Sequence, residues 1–211
     1  MTFLHPTASQ NVAGKTPLIG VLALQGDVRE HVAMLTALGA NVAEVRTPQQ
    51  FESVDALVIP GGESSVIDKL TRLFELREPI RQRLTAGMPA LGTCAGLIML
   101  ADRLADGIDG QQTFGGLDVT VQRNAFGAQV DSFETALTMP AVSSHPVRAA
   151  FIRAPIVTEV GAGVEVLAKL DDGRIVAVQS GNVIGISFHP EVEGETAIHE
   201  YFLQRVHAHV Q

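Results

Sequence analysis

The sequence predicts a single α/β domain, a mixed and mostly parallel central sheet flanked by helices, with antiparallel strands added in the second half. Three observations carry this. The continuous apolar run Leu18-Ile19-Gly20-Val21-Leu22-Ala23-Leu24 has the composition of a strand buried on both faces. Similar runs at 55–59 and 90–92 alternate with stretches in helical spacing, as parallel strands joined by crossover helices do. Beyond about Arg103 the pattern changes to short β-type runs separated by turn signals. A length of 211 residues suits one large domain, and 46% hydrophobic residues supply its core. Aromatics are only 5%, so that core is mostly aliphatic. The domain is expected over residues 17–211. Residues 1–16, with Pro6, Ser9, Gln10, Asn11 and Gly14, read as a loose extension.

The elements follow in order. After the first strand, Gln25-Gly26-Asp27 turns the chain and Asp27 can cap a helix to about Leu38. Its apolar positions Val28, Val32, Leu35 and Leu38 keep helical spacing, and Gly39 supplies the stop. Strands are expected at 41–46 and 55–59, the latter ending at Pro60-Gly61-Gly62-Glu63-Ser64-Ser65. Helices over about 65–75 and 78–86 precede a strand at 90–92, and an apolar helix-like run follows Cys94. A polar, glycine-rich loop covers 106–116. Short strands are then expected at 117–122, 133–139, 149–153, 164–170, 174–179 and 183–188. Asp172-Gly173 and Ser180-Gly181-Asn182 are turn signals among them. A last helix is expected over about 195–207.

Charge and cysteine content narrow the function classes. A net charge of −8 leaves no basic surplus for nucleic acid or an anionic membrane. One cysteine cannot form an internal disulfide, which fits a reducing cytoplasm. No apolar stretch approaches the length of a membrane span, and the N-terminus lacks the basic and apolar regions of a signal peptide.

The chemistry gathers at three strand ends. Gly92-Thr93-Cys94-Ala95-Gly96 is a Gly-x-Cys-x-Gly turn between an apolar strand and an apolar helix, the thiol form of a nucleophile elbow. Read alone, Cys94 is equally a buried structural cysteine. Ile184 to Phe188 runs into His189-Pro190-Glu191. In an extended chain, His189 and Glu191 project from one face, so the carboxylate can orient the imidazole as a triad requires. The bland alternative is a strand-ending turn and a solvated glutamate. The loop Pro60-Gly61-Gly62-Glu63-Ser64 lets backbone N–H groups line a site, as an oxyanion hole needs. An ordinary helix-capping turn is the alternative, and a P-loop is excluded by the missing Lys-Ser/Thr. In open α/β sheets the active site lies beyond the carboxyl ends of strands, where these motifs sit. His5, His145, His199, His207 and His209 are expected at the surface, and His31, beside Arg29 and Glu30, at the surface or an interface. His207 and His209, two apart on a helix, diverge, and no metal site is expected.

Together the three motifs resemble the class I (triad) glutamine amidotransferases, whose sheet is flavodoxin-like. The likeness narrows to the glutaminase subunits of pyridoxal 5′-phosphate synthases. It does so through Gly20-Val21-Leu22-Ala23-Leu24-Gln25-Gly26-Asp27-Val28-Arg29-Glu30-His31, and through Val121-Gln122-Arg123-Asn124-Ala125-Phe126-Gly127. Gln129-Val130-Asp131-Ser132-Phe133 and Phe151-Ile152-Arg153-Ala154-Pro155 add to it. The resemblance runs from about Leu18 to the last helix. Only the loop from Asp106 to Phe114 is slightly longer than the family needs.

The resemblance implies hydrolysis of L-glutamine to glutamate and ammonia. Cys94 would be the nucleophile, His189 the acid and base, and Glu191 its orienting group. Backbone N–H groups of Gly62 and Ala95 would form the oxyanion hole. Gly62, Glu63, Ser64, Arg123, Ile152 and Arg153 would bind glutamine. The ammonia would pass to a (β/α)8-barrel synthase subunit that docks on and activates the glutaminase. Gln25, Asp27, Arg29 and His31 are assigned to that interface, and no cofactor is expected. A triad glutaminase serving another synthase, such as that of imidazole glycerol phosphate, is one alternative. A non-catalytic regulatory subunit and a stand-alone cysteine hydrolase are the others.

Overall fold

The apolar run at the start of the domain forms β1 (Leu18–Leu22), whose side chains alternate between two cores. Ile19 and Val21 enter one and Leu22 the other, as a strand covered on both faces requires. The computed structural model describes residues 16–123, 125 and 132–211. Most of the expected N-terminal extension, residues 1–15, therefore lies outside the described residues. So do Asn124 and the 126–131 part of the resemblance.

The first half alternates as expected. α1 (Val28–Ala37), β2 (Asn41–Val45), α2 (Pro48–Glu52) and β3 (Ala56–Ile59) follow β1. Then come α3 (Ser64–Leu73), α4 (Arg77–Thr85), β4 (Ala90–Thr93) and α5 (Ala95–Leu100). Helix α2 was not expected, although its signal is local. Thr47 and Gln50 form a reciprocal capping box ahead of Pro48.

The second half holds β5 (Ala101–Leu104), β6 (Leu117–Gln122), β7 (Ser132–Leu137), β8 (Val147–Ile152), β9 (Ile156–Val160) and β10 (Glu165–Lys169). It closes with β11 (Ile175–Ser180), β12 (Val183–Ile186), α6 (Pro190–Glu193) and α7 (Ala197–Val210). Strands β5 and β9 and helix α6 are additions to the expected set. β5 continues directly from α5 as the chain leaves the helix extended at Ala101. β9 pairs with both β6 and β11, so sheet partners decide it rather than local pattern.

Among the described residues the main sheet has ten strands in the order β2-β1-β3-β4-β12-β11-β9-β6-β5, with β10 on β11. Strands β2, β1, β3, β4 and β12 are mutually parallel. From β11 to β6 the pairing is antiparallel, and β5 returns parallel to β6. β7 and β8 form a separate antiparallel pair. One core includes Ile67, Ile80 and Ile98 from α3, α4 and α5. The other includes Leu35 from α1, Phe202 and Val206 from α7, and Phe151 from β8. The α/β domain, mostly parallel at its centre with antiparallel additions, agrees with the expected class. No helix among the described residues is long and apolar enough to cross a membrane. For the site, the decisive fact is that β3, β4 and β12 are adjacent and parallel, so their carboxyl ends open side by side.

Candidate active site

Cys94 stands between β4 and α5 with φ 48° and ψ −104°, a backbone state few side chains adopt. The strain is held from several sides. The Cys94 N–H donates to the Ile186 carbonyl on β12 at 2.8 Å. A Cβ on Gly96 would strike the Ile59 carbonyl of β3, and one on Gly92 would strike the Gly96 backbone. The elbow glycines thus let α5 lie against the strands it leaves. Cys94 is 7% exposed, and its sulfur lies 4.0 Å from the Ile152 carbonyl. Ala95, as the first residue of α5, has an N–H with no helical acceptor.

The β3 end supplies the double-glycine loop. Gly62 has φ +145°, and a Cβ there would run into the Gln25 side-chain amide. Gln25 Oε1 accepts from the Glu63 N–H at 2.8 Å, which ties the turn after β1 to this loop. A Cβ on Gly61 would collide with the His189 ring. Close approach, rather than turn geometry alone, explains both glycines.

The β12 end supplies the imidazole. His189 is 5% exposed and its backbone N–H donates to the Ala150 carbonyl at 2.9 Å. Its Nδ1 is 2.8 Å from Glu191 Oε1 and 3.3 Å from Asp27 Oδ2. The pairing arises differently from the expected extended chain. Pro190 opens the short helix α6, where its missing N–H costs nothing, and the turn brings Glu191 back beneath the ring. Burial alone would depress the His189 pKa. Hydrogen bonds with Asp27, Cys94 and Glu191 outweigh it and push the value up to about 12. Burial likewise works against the Glu191 carboxylate, but hydrogen bonds from His189 and His31 hold its pKa far below the ordinary range. His189 is thus an imidazolium between two carboxylates and the Cys94 sulfur. Asp27, His189 and Glu191 each place one donor atom within 4.8 Å of the others, a spacing that also suits a metal ion. Here the Nδ1 proton serves both carboxylates.

A cavity of about 390 Å³ opens over these strand ends. Gly62, Glu63, Ser64, Cys94, Arg123, Ile152, Arg153 and His189 all line it, so the six residues assigned to glutamine meet there, while Ala95 and Glu191 are not part of its lining. Asp27, Ile98 and Val192 complete the wall. Arg123 is held rather than free. Its Nη2 is 2.8 Å from Glu63 Oε1, and its Nη1 donates to Gln111 Oε1 at 2.9 Å. Gln111 Nε2 in turn donates to Ser64 Oγ at 3.0 Å. Sequence reasoning missed Gln111, which sits in the loop noted only for its polarity, its glycines and its length. Arg153 has φ 45°, a second strained non-glycine residue at the cavity.

The four residues assigned to an interface divide. Arg29 is exposed, with 92% of its side chain open. Gln25 and Asp27 turn toward Glu63 and His189. His31 is fully buried, which corrects its placement at the surface or an interface. His199 is also fully buried, against the same expectation. Both occupy core-facing helical positions, where polar identity misleads.

Asp27 carries a prediction. Its charge helps keep the His189 proton on, so Asp27→Asn lowers the imidazolium pKa. The alkaline limb of kcat/KM, where that proton is lost, should then move to lower pH. Rates across a pH series check this, and an unchanged alkaline limb would contradict it.

Comparison with known proteins agrees with this geometry. The model of the SNO glutamine amidotransferase family matches residues 21–208. A protein of Leifsonia xyli named pyridoxal 5′-phosphate synthase subunit PdxT is 57% identical over 195 residues, covering 92% of this chain and 98% of that one. The protein of the same name from Clavibacter sepedonicus is 55% identical over 193 residues, covering 92% of each. A crystal structure titled as a glutamine amidotransferase, 44% identical, superposes with TM-score 0.83 over 90% of this chain and 98% of that chain. A chain from the structure of PurLQS from Thermotoga maritima, 17% identical, gives TM-score 0.67 over 93% of this chain and all of that one, and supports the fold alone. With a strained cysteine, an imidazolium and a buried carboxylate at adjacent strand ends, and with relatives this similar over nearly its whole length, the chain belongs to the SNO glutamine amidotransferase family.

Proposed function

We propose that this chain is the glutaminase subunit of a pyridoxal 5′-phosphate synthase, and that it works through Cys94, His189 and Glu191. One observation carries the reading: sulfur, imidazole and carboxylate meet at the ends of β4 and β12 beside the glycine loop of β3. The names of the relatives support the synthase assignment over an imidazole glycerol phosphate enzyme.

The chemistry follows from the residues. The cavity holds glutamine with its α-carboxylate near Arg123 or Arg153 and its side-chain carboxamide over Cys94. Guanidinium forks suit a carboxylate. The Cys94 thiolate attacks the carboxamide carbon, and the oxyanion is received by the N–H groups of Gly62 and Ala95, a contribution of about 3–4 kcal/mol per donor in comparable sites. The His189 imidazolium gives its proton to nitrogen as the C–N bond breaks, releasing ammonia and leaving a glutamyl thioester. The neutral imidazole then takes a proton from water as it attacks. The C–S bond breaks, glutamate leaves, and the thiolate–imidazolium pair is restored. Glu191 holds His189 in the tautomer that faces sulfur.

The ammonia goes to a (β/α)8-barrel synthase subunit docked over the cavity. Arg29, exposed beside the site, and the half-buried Asp27 suit the edge of that contact. Glutamate release should be low for the purified chain and rise severalfold or more with a barrel subunit of this pathway. Stimulation by an imidazole glycerol phosphate barrel instead would overturn the partner assignment.

A further inference from the structure

Behind the triad lies a group of buried polar side chains that the mechanism above does not use. His31 on α1 is fully buried, as are Thr93, which precedes the nucleophile, and His199 on α7. His31 Nε2 is 3.1 Å from Thr93 Oγ1 and 3.5 Å from Glu191 Oε1. His31 Nδ1 is 2.9 Å from His199 Nε2. Four elements that share no local sequence thus meet at one imidazole: α1, α7, α6 and the end of β4.

The proton positions follow from what each atom can do. A carboxylate only accepts, so the proton between His31 and Glu191 is on His31 Nε2. His199 Nδ1 has no partner among the described residues. A proton there would be a buried, orphaned N–H, which folded proteins tolerate more rarely than an unmatched acceptor. His199 therefore carries its proton on Nε2 and donates it to His31 Nδ1. Burial above all holds His199 neutral, with a pKa of about 3. The chain of donors has one direction: His199 donates to His31 Nδ1, and the single His31 Nε2 proton lies between Thr93 Oγ1 at 3.1 Å and the Glu191 carboxylate at 3.5 Å. Glu191 Oε1 then lies 2.8 Å from His189 on one side and 3.5 Å from His31 on the other, while Glu191 Oε2 has no partner among the described residues.

Packing alone does not account for this arrangement. Apolar side chains of similar size at positions 31 and 199 would fill the same space without leaving His199 Nδ1 unmatched. The polar groups are aimed at the carboxylate and at the residue beside the sulfur.

We propose that His31, oriented by His199, is a positioning residue of the triad, which aims the charged Glu191 at His189 and joins both to Thr93. The proposal rests on the glutaminase reading. Without the His31 N–H, Glu191 keeps its 2.8 Å hydrogen bond with His189 but loses the donor 3.5 Å away on its other side, and is a poorer anchor for the imidazole. Partners of this kind behind the histidines and carboxylates of metal sites are typically worth about 10–100-fold, and the same scale is expected behind this triad.

Two conservative variants separate positioning from packing. In His31→Gln the amide nitrogen reaches the place of Nε2 and can still donate to Glu191. In His31→Asn it reaches only the place of Nδ1. The full chain is assayed with its barrel synthase subunit, following kcat, KM for glutamine and the pH profile. His31→Asn should lose about 10–100-fold in kcat with KM within about twofold. Its acid limb should move to higher pH, because Glu191 gains protons more readily. His31→Gln should recover most of the rate and the wild-type limb. His199→Phe should shift the same limb in the same direction by less.

Equal rates and profiles for His31→Asn and wild type would overturn the proposal. So would equal defects in His31→Asn and His31→Gln that track loss of melting temperature. A Cys94→Ala control distinguishes the two failures. If it still hydrolyses glutamine, the glutaminase reading itself is wrong. If it is inactive while His31→Asn is normal, only the role of His31 is wrong.

Discussion

His189→Asn should bind glutamine within a few-fold of wild type and lose on the order of 10⁴–10⁶ in kcat, the range seen when a base acting in concert with its nucleophile is removed. The asparagine amide can still donate to Glu191 from near the place of Nδ1, so the buried carboxylate keeps a partner. What is lost is the nitrogen that faces Cys94. Both proton transfers in the cycle pass through it, to ammonia in the first half and from water in the second. The imidazolium charge, held by Asp27 and Glu191, is lost with it. Calorimetric titration with glutamine, beside single-turnover rates in the synthase complex, separates binding from chemistry. Loss of binding in proportion to rate would make His189 a ligand-binding or structural residue.

Glu191→Gln should cost about 10³–10⁴ in kcat, as when the carboxylate of a triad is made neutral without moving it. The amide no longer requires a proton on Nδ1, so the ring can present the wrong nitrogen to sulfur. The same substitution changes stability in a defined pH window. The folded protein holds the Glu191 pKa well below its ordinary 4.5. Its carboxylate therefore contributes stability that is fully present above that ordinary value and is lost as pH falls through the folded one. Glu191→Gln removes this contribution, so its stability should fall less steeply in acid than that of wild type. Chemical denaturation at a series of pH values tests the slope. Parallel slopes would mean that the carboxylate is not held in this way.

How much of this was legible in the sequence follows from the range of each signal. The glycine elbow at Cys94, the double glycine at Gly61 and Gly62, and His189-Pro190-Glu191 are all local motifs, and each lies at a strand end. The parallel strands then place the three side by side. The route from His189 to Glu191 was misread because Pro190 has two readings. It fits an extended chain, but it also opens a helix, and α6 takes the second.

His31 and His199 were missed for a different reason. His31 is three residues after Val28 and four before Leu35, so helical spacing already put it on the face of α1 that meets the core. His199 stands in the same relation to Phe202, Leu203 and Val206 on α7. Both were set aside because histidine is often exposed, yet each is satisfied by a partner far away in sequence. Gln111 offered no signal of its own. Its contacts with Ser64 and Arg123 depend on how a long loop folds across two other elements.

The central claim is that glutamine is opened on the Cys94 sulfur. Acid quenching of the synthase complex during turnover of carbon-labelled glutamine tests it most directly, with the labelled peptide then identified by mass spectrometry. The account predicts a glutamyl thioester on the peptide containing Cys94, and neither label nor glutamate release in Cys94→Ala. Glutamate release from Cys94→Ala at the wild-type rate, or label on any other residue, would contradict it.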